Sequence, residues 1–203
     1  MRTGRKKLNR SFYTRESVVQ IAEELLGMVL CTRIDGIETS GIITETEAYC
    51  GRGDRACHAR DGRRTERTET MYLSGGHAYV YLCYGIHHLF NVVTNRSGNA
   101  DAVLIRALRP LDGLQTILTR RNAKALSPKV ASGPGRMTSA MGITTLHDKT
   151  DLTGDTIWIE DRNCRPNPEE VVKTPRIGID YAGADAEKPW RFLIKDRQWI
   201  SRV

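Results

Sequence analysis

No stretch of this 203-residue chain approaches the ~20 consecutive apolar residues that a membrane-spanning helix requires. The basic opening Met1-Arg2-Thr3-Gly4-Arg5-Lys6-Lys7 is not followed by an apolar signal core, which argues against secretion. A cytoplasmic, nucleoid-associated protein is expected, or a nuclear one in a eukaryotic cell. Cysteine is sparse: Cys31, Cys50, Cys57, Cys83 and Cys164 are odd in number and form no Cys-x-x-Cys pair, the pattern of reduced, structural thiols. Cys57-His58 with Cys50 upstream lacks the close-spaced pair of a zinc site, so no metal and no cofactor is expected. Repeats, low-complexity tracts and linkers are also missing. One domain spanning 1–203 follows, with 1–12 as a basic, flexible arm, and that length buries roughly 70% of the unfolded surface.

What is abundant is positive charge. Lys and Arg total 31 against 24 acids, a formal charge of +7 and a pI near 9.3, and this favours a polyanionic partner, nucleic acid first. The arginines crowd: 52, 55, 60, 63, 64 and 67 all fall between residues 50 and 76, a segment rich in Gly, Asp and Thr. A connection that long is either mobile or functional.

Hydrophobic spacing at Val18, Ile21, Ala22 and Leu25, between a Thr start and a Gly stop, predicts a helix over 14–27. Alternating stretches from Met28 to Tyr49 flank Asp35-Gly36, a hairpin signal. Further strands are predicted over 77–85, 86–94, 102–108, 156–160, 176–181 and 190–195, with helices over 113–122 and from Ser132-Gly-Pro-Gly135 through Met141. Runs of strands with helices set apart predict a single α+β domain built on a largely antiparallel, curved sheet with helices around it.

Glu45, Glu47 and Tyr49 alternate along one predicted strand, on the face expected for Ile43 as well. A carboxylate on such a face needs a partner or a job. Paired carboxylates suit a glycosidase; a salt-bridged strand residue is the plain alternative, and one catalytic Glu is favoured over two. Tyr49, His58, Tyr81 and Tyr84 add flat rings around the acidic strand, which is how proteins hold an unstacked base.

The segments Glu45-Thr-Glu-Ala-Tyr49 followed by His58, Tyr79-Val-Tyr-Leu-Cys-Tyr-Gly85, Asn91, and Leu104-Ile-Arg-Ala-Leu-Arg-Pro110 resemble the alkyladenine (3-methyladenine) DNA glycosylase family. The likeness extends through Ser132-Gly-Pro134 and Arg176-Ile-Gly178 to Pro189-Trp-Arg-Phe192. It implies Glu47 as the general base that activates water against the anomeric carbon, with Arg106 and the Ile177 carbonyl holding that water. It also implies Tyr49 as one wall of a base pocket and His58 and Tyr81 as the other. The His58 N–H would read the edge of an adenine-like base, and Asn91 would discourage guanine's amino group. Tyr84 would fill the gap left by the flipped nucleotide, with Arg63, Met71 and Arg136 also on the DNA-binding face.

The substrate so implied is double-stranded DNA carrying a damaged purine, bound by a monomer away from any membrane. Alkylation leaves the purine cationic, so stacking adds roughly 0.5–2 kcal/mol of cation–π attraction. The cation is also a good leaving group, so water activation, worth about 10²–10⁴, is what remains. No lysine falls in the quoted segments, and without an amine there is no Schiff base to cleave the strand. Thr65-Glu66 and His87-His88 depart from the familiar pattern, and excision of 3-methyladenine and 7-methylguanine is ranked above that of hypoxanthine and ethenoadenine. Two rivals use the same residues: a non-catalytic nucleic-acid binder with the tyrosine strand as platform, and a carbohydrate hydrolase using Glu45 and Glu47.

Overall fold

The structure, a computed structural model, describes residues 5–195 and 198–201. Of the expected N-terminal arm, residues 1–4 lie outside the described residues, whereas Lys6–Lys7 form strand β1 and pair with Asp161 and Glu160. Helix α1 (Arg10–Tyr13) and helix α2 (Val18–Glu24) follow. The helix predicted over 14–27 is therefore shorter, because Thr14 closes α1 and the cap of α2 is Ser17, whose hydroxyl accepts from the Gln20 amide.

Strand β2 (Val29–Ile34) returns as β3 (Ile37–Tyr49) through Asp35-Gly36, both in left-handed conformation (φ 54° and 74°), as a two-residue hairpin requires. After the arginine-rich segment come β4 (Ala78–Cys83), β5 (His87–Thr94) and β6 (Asp101–Asp112), then α3 (Leu114–Arg120). Helix α4 (Pro134–Met141) starts on a proline and stops at Gly142, the residues suited to those ends. Strands β7 (Ile157–Asp161), β8 (Val171–Thr174) and β9 (Arg191–Ile194) complete the chain.

The strands form one antiparallel sheet in the order β1-β7-β2-β3-β6-β5-β4, with β9 joined to the far half of β3 and β8 to β9. The expected α+β class and antiparallel sheet are thus found. No helix among the described residues is long and apolar enough to cross a membrane. The strand predicted over 176–181 is not formed. Gly178 takes a left-handed φ of 74°, the Ile177 amide donates to a side chain instead of a strand, and 3-10 turns run over Asp180–Glu187.

One face of the sheet buries Phe90, Val92, Val103 and Ile105 with Ile21 and Leu25 around α2 and Met137 and Met141 on α4. Each such side chain contributes about 1.5–3 kcal/mol. On the other face a smaller cluster, Cys57, Ala59, Met71, Tyr79, Val93 and Ala102, lies under the 50–76 segment. That segment is ordered by short 3-10 turns at Arg60–Gly62 and Glu69–Tyr72. It rejoins the sheet at Gly75 and Gly76, whose amides donate to Asn95 and Val93 carbonyls.

At Gly75 a β-carbon would stand 2.4 Å from the Tyr13 carbonyl oxygen and 2.9 Å from that of Asn95. Gly75→Ala is expected to lower unfolding free energy by about 1–3 kcal/mol through overpacking. Gly36→Ala, with open space around it and only the left-handed φ to satisfy, costs about 1 kcal/mol. Urea unfolding of the two variants checks the order.

Candidate active site

The pairing of β3 with β6 shifts register on both sides of Glu45: Ile43 faces Leu108, Glu45 faces Ala107, and Thr46 faces Ile105. Thr44 on one strand and Arg106 on the other are the extra residues. The consequence is visible in the core, where Ile43 and Ala48 both pack on the helix side although simple alternation would place them on opposite faces. Ile43 therefore does not share a face with Glu45 and Glu47, as the alternation predicted. Arg106 is turned by the matching shift toward both carboxylates.

Glu45 and Glu47 have no exposed surface, and Arg106 is 6% exposed. Arg106 Nε donates to Glu45 Oε1 at 2.9 Å and its Nη1 to Glu47 Oε2 at 3.0 Å. Glu45 Oε1 also accepts from Arg191 Nε at 2.7 Å and from the Ser201 hydroxyl, and Oε2 from the Ser201 amide. Two acids thus face two guanidiniums, so the buried cluster carries no net charge. Burial disfavours the Arg106 cation, but Glu47 and Glu45 reverse this and raise its pKa. Glu45 is enclosed by donors, a structural carboxylate.

Glu47 is held by three donors: Arg106, the Tyr49 hydroxyl on Oε2 at 2.8 Å, and the Ile177 amide on Oε1 at 2.8 Å. The sequence pointed to the Ile177 carbonyl; the contact seen with Glu47 is made by its N–H. Burial, then Glu47, raises the Tyr49 phenol well above its ordinary pKa, so it stays a donor. Tyr49, Arg106 and Ile177 border a cavity of about 1030 Å³, with Glu47 directly behind them.

His58, Tyr81, Asn91 and Met71 line the same cavity. His58 meets Tyr81 edge-on, with centroids 4.8 Å apart, and its Nδ1 lies 3.0 Å from the Tyr79 hydroxyl. Asn91 is buried on β5, where its side-chain amide donates to the Tyr79 carbonyl at 3.1 Å. Met71 is 2% exposed and packs within the small cluster, so it forms cavity wall, not outer surface. Arg136, exposed in the first turn of α4, stands at the rim, and Arg63 borders an adjacent, smaller hollow. Tyr84 is 92% exposed at the tip of the β4–β5 hairpin, where it and Gly85 both take left-handed φ (51° and 72°) and the Ile86 amide donates to Cys83.

The model of the methylpurine-DNA glycosylase family matches residues 11–198. The chain belongs to this family. It is 42% identical over 202 residues to a Clostridium acetobutylicum protein, covering 96% of this chain and 97% of that one. A Bacillus cereus relative is 43% identical over 200 residues (95% and 97% covered), and one from Chlamydia felis 45% over 189 residues (92% and 95% covered). All three are provisionally described as 3-methyladenine DNA glycosylases.

Several residues that shape this glycosylase-family site received no role from the sequence, although Arg176 and Arg191 lie in segments that carry the resemblance. Arg191 and Ser201 close the Glu45 cluster, and Ser201 lies beyond the stretch matched to the family. Arg176 and Asp54 form a fully buried pair at 2.6 and 2.8 Å; the guanidinium also donates to the Ala48 carbonyl. It stacks on Tyr49 at 4.8 Å and on Trp190 at 5.2 Å. This pair fixes the chain beside Ile177 and backs the Tyr49 ring. Their signal in the sequence is an Asp and an Arg in glycine-containing loops with aromatic neighbours.

Burial, with Arg67 and Arg63 adding like charge, lowers the His58 pKa from 6.5 to about 4. The imidazole is therefore neutral at physiological pH. The unfolded chain takes up a proton here below about pH 6.5 while the folded chain does not, so stability falls as pH drops from 6.5 toward 4. Proton NMR of the His58 ring is expected to titrate near 4, and His58→Gln to flatten the stability slope across that window.

Proposed function

We propose that this chain is a DNA glycosylase that takes alkylated purines, 3-methyladenine and 7-methylguanine foremost, out of duplex DNA and hydrolyses the N-glycosidic bond. The observation that carries the reading is a carboxylate, Glu47, fixed by a backbone amide, a phenol and a guanidinium immediately behind an aromatic-lined cavity in a basic protein. A carboxylate offers about four acceptor sites and three are taken, which leaves one for a water. Because Glu47 has no exposed surface, the water reaches it by a small displacement of one of the three groups around it, all of which border the cavity.

In this reaction the water oxygen bonds to C1′, its proton passes to Glu47, and the C1′–N bond breaks with both electrons going to the purine. An alkylated, cationic purine leaves neutral. The flipped base lies between Tyr49 and the His58–Tyr81 pair, whose neutral imidazole does not repel a cation. Asn91 at the inner wall disfavours a guanine amino group. Tyr84 on its rigid turn is the wedge that holds the opened stack, since extruding a base costs a few kcal/mol. Arg63 and Arg136 contact backbone phosphates on either side, with Met71 supporting the wall. The enzyme works as a monomer in the cytoplasm, on the nucleoid, without a metal or cofactor, and leaves an abasic site without cutting the strand.

Duplex DNA carrying one 7-methylguanine is expected to release free base with the wild type. With Glu47→Gln release falls about 10²–10⁴-fold while duplex binding persists. Release that survives Glu47→Gln refutes the assignment of the base, and binding with no release by the wild type supports a non-catalytic binder. Borohydride is expected to trap no adduct, and a chelator to leave the rate unchanged.

A further inference from the structure

Arg67 stands in the cavity with no assigned role. Its backbone is fixed by a closed turn: the Thr68 amide donates to the Thr65 carbonyl at 3.0 Å, and the Thr65 amide to the Thr68 hydroxyl at 2.8 Å. From that turn its guanidinium lies over the Tyr81 ring, 4.8 Å from the centroid. It also acts on Tyr79, whose phenol burial pushes up to about 12, through opposing charge and a side-chain hydrogen bond. Its charge reaches His58 as well. Arg67 borders both the main cavity and the smaller hollow, so its side chain is part of the partition between them.

Like Arg63 beside it and Arg136 at the rim, this cation has no carboxylate partner among the described residues, and it alone of the three borders both hollows. Arg64 pairs with Glu69, Arg106 with Glu45 and Glu47, and Arg176 with Asp54, whereas among the described residues no carboxylate pairs with Arg67. A base seated against Tyr81 and His58 therefore meets an unpaired positive charge beside the same rings.

We infer that Arg67 tunes the charge preference of the pocket, raising excision of neutral purine lesions relative to cationic ones and so narrowing the lead of the latter. This rests on the glycosylase reading and goes to its substrate class. When the glycosidic bond of a neutral purine breaks, the base departs with the electron pair as an anion and takes its proton from solvent afterwards. A guanidinium beside it stabilises that anion and donates to ring nitrogen or carbonyl acceptors. It cannot deliver the proton itself, since a guanidinium does not give up its proton in a protein. A methylated purine enters as a cation and leaves neutral, so the same guanidinium opposes its entry and gives its departure nothing. Arg67 thereby offsets the leaving-group advantage of cationic bases and widens the range of lesions.

The test compares wild type, Arg67→Met and Arg67→Lys in single-turnover excision from two duplexes of one sequence, carrying either hypoxanthine or 7-methylguanine. Arg67 is exposed, so these variants keep the fold. Arg67→Met is expected to slow hypoxanthine release roughly tenfold or more, the worth of one charge-assisted hydrogen bond, and to leave 7-methylguanine release unchanged or faster. Arg67→Lys keeps the charge and stays closer to the wild-type ratio. An equal fall on both duplexes, the mark of a simple phosphate contact, overturns the inference, as does no change on either. Wild type that removes 7-methylguanine and never hypoxanthine overturns it too. Wild type that removes neither base is a different result, because it removes the glycosylase reading itself.

Discussion

Two glutamates without exposed surface on one strand face impose the requirement on which the rest of this site depends: each buried negative charge needs a buried positive one with matched donors. Arg106 meets it by bridging Glu45 and Glu47, and Arg191 balances the remaining charge. Because Arg106 comes from β6 and Arg191 from β9, the cluster draws together the two strands that pair with this part of β3. It also draws in Ser201. Removing any one of the four charged members would leave a charge uncompensated, and Glu47 is the acid directly behind the cavity wall.

A second buried pair, Asp54 with Arg176, does for the cavity what the first does for the carboxylate. It clips the start of the arginine-rich segment to the loop carrying Ile177, and its guanidinium lies over the Tyr49 ring, 4.8 Å from the centroid. A ring already polarised by a cation on one face is a weaker partner for a second cation on the other. For the alkylated base proposed to stack on Tyr49, the cation–π gain is thereby reduced, and shape and desolvation would carry more of the selectivity.

Much of this was legible in the sequence because it is local. The Asp35-Gly36 hairpin and the bounds of α4 follow from turn chemistry, and the pairing of Glu47 with Tyr49 from strand alternation, whereas Arg106, 59 positions from Glu47, joins them only through the family resemblance. The helix over 14–27 was drawn too long because Thr14 and Ser17 are both competent caps, and only packing chooses between them. The strand over 176–181 was misread because Ile177 and Ile179 alternate like strand residues, whereas the Ile177 amide is satisfied by Glu47, 130 positions away. The roles of Arg191, Ser201 and Asp54 escape the sequence for the same reason: a contact between residues more than a hundred positions apart leaves no periodicity in the chain.

The paired register shifts at Thr44 and Arg106 have an effect on how this site can change over time. Removing the extra residue from one strand alone would rotate its polar side chains toward the helices while the partner strand kept its own facing the cavity. Acid and guanidinium would then sit on opposite sides of the sheet. Lengthening or shortening here is tolerable only when both strands change together, so insertions and deletions are pushed outward to the hairpins and the long arginine segment. The face that carries Glu47 and Arg106 can therefore change only as a two-strand unit, whereas the loops around it are free of that constraint.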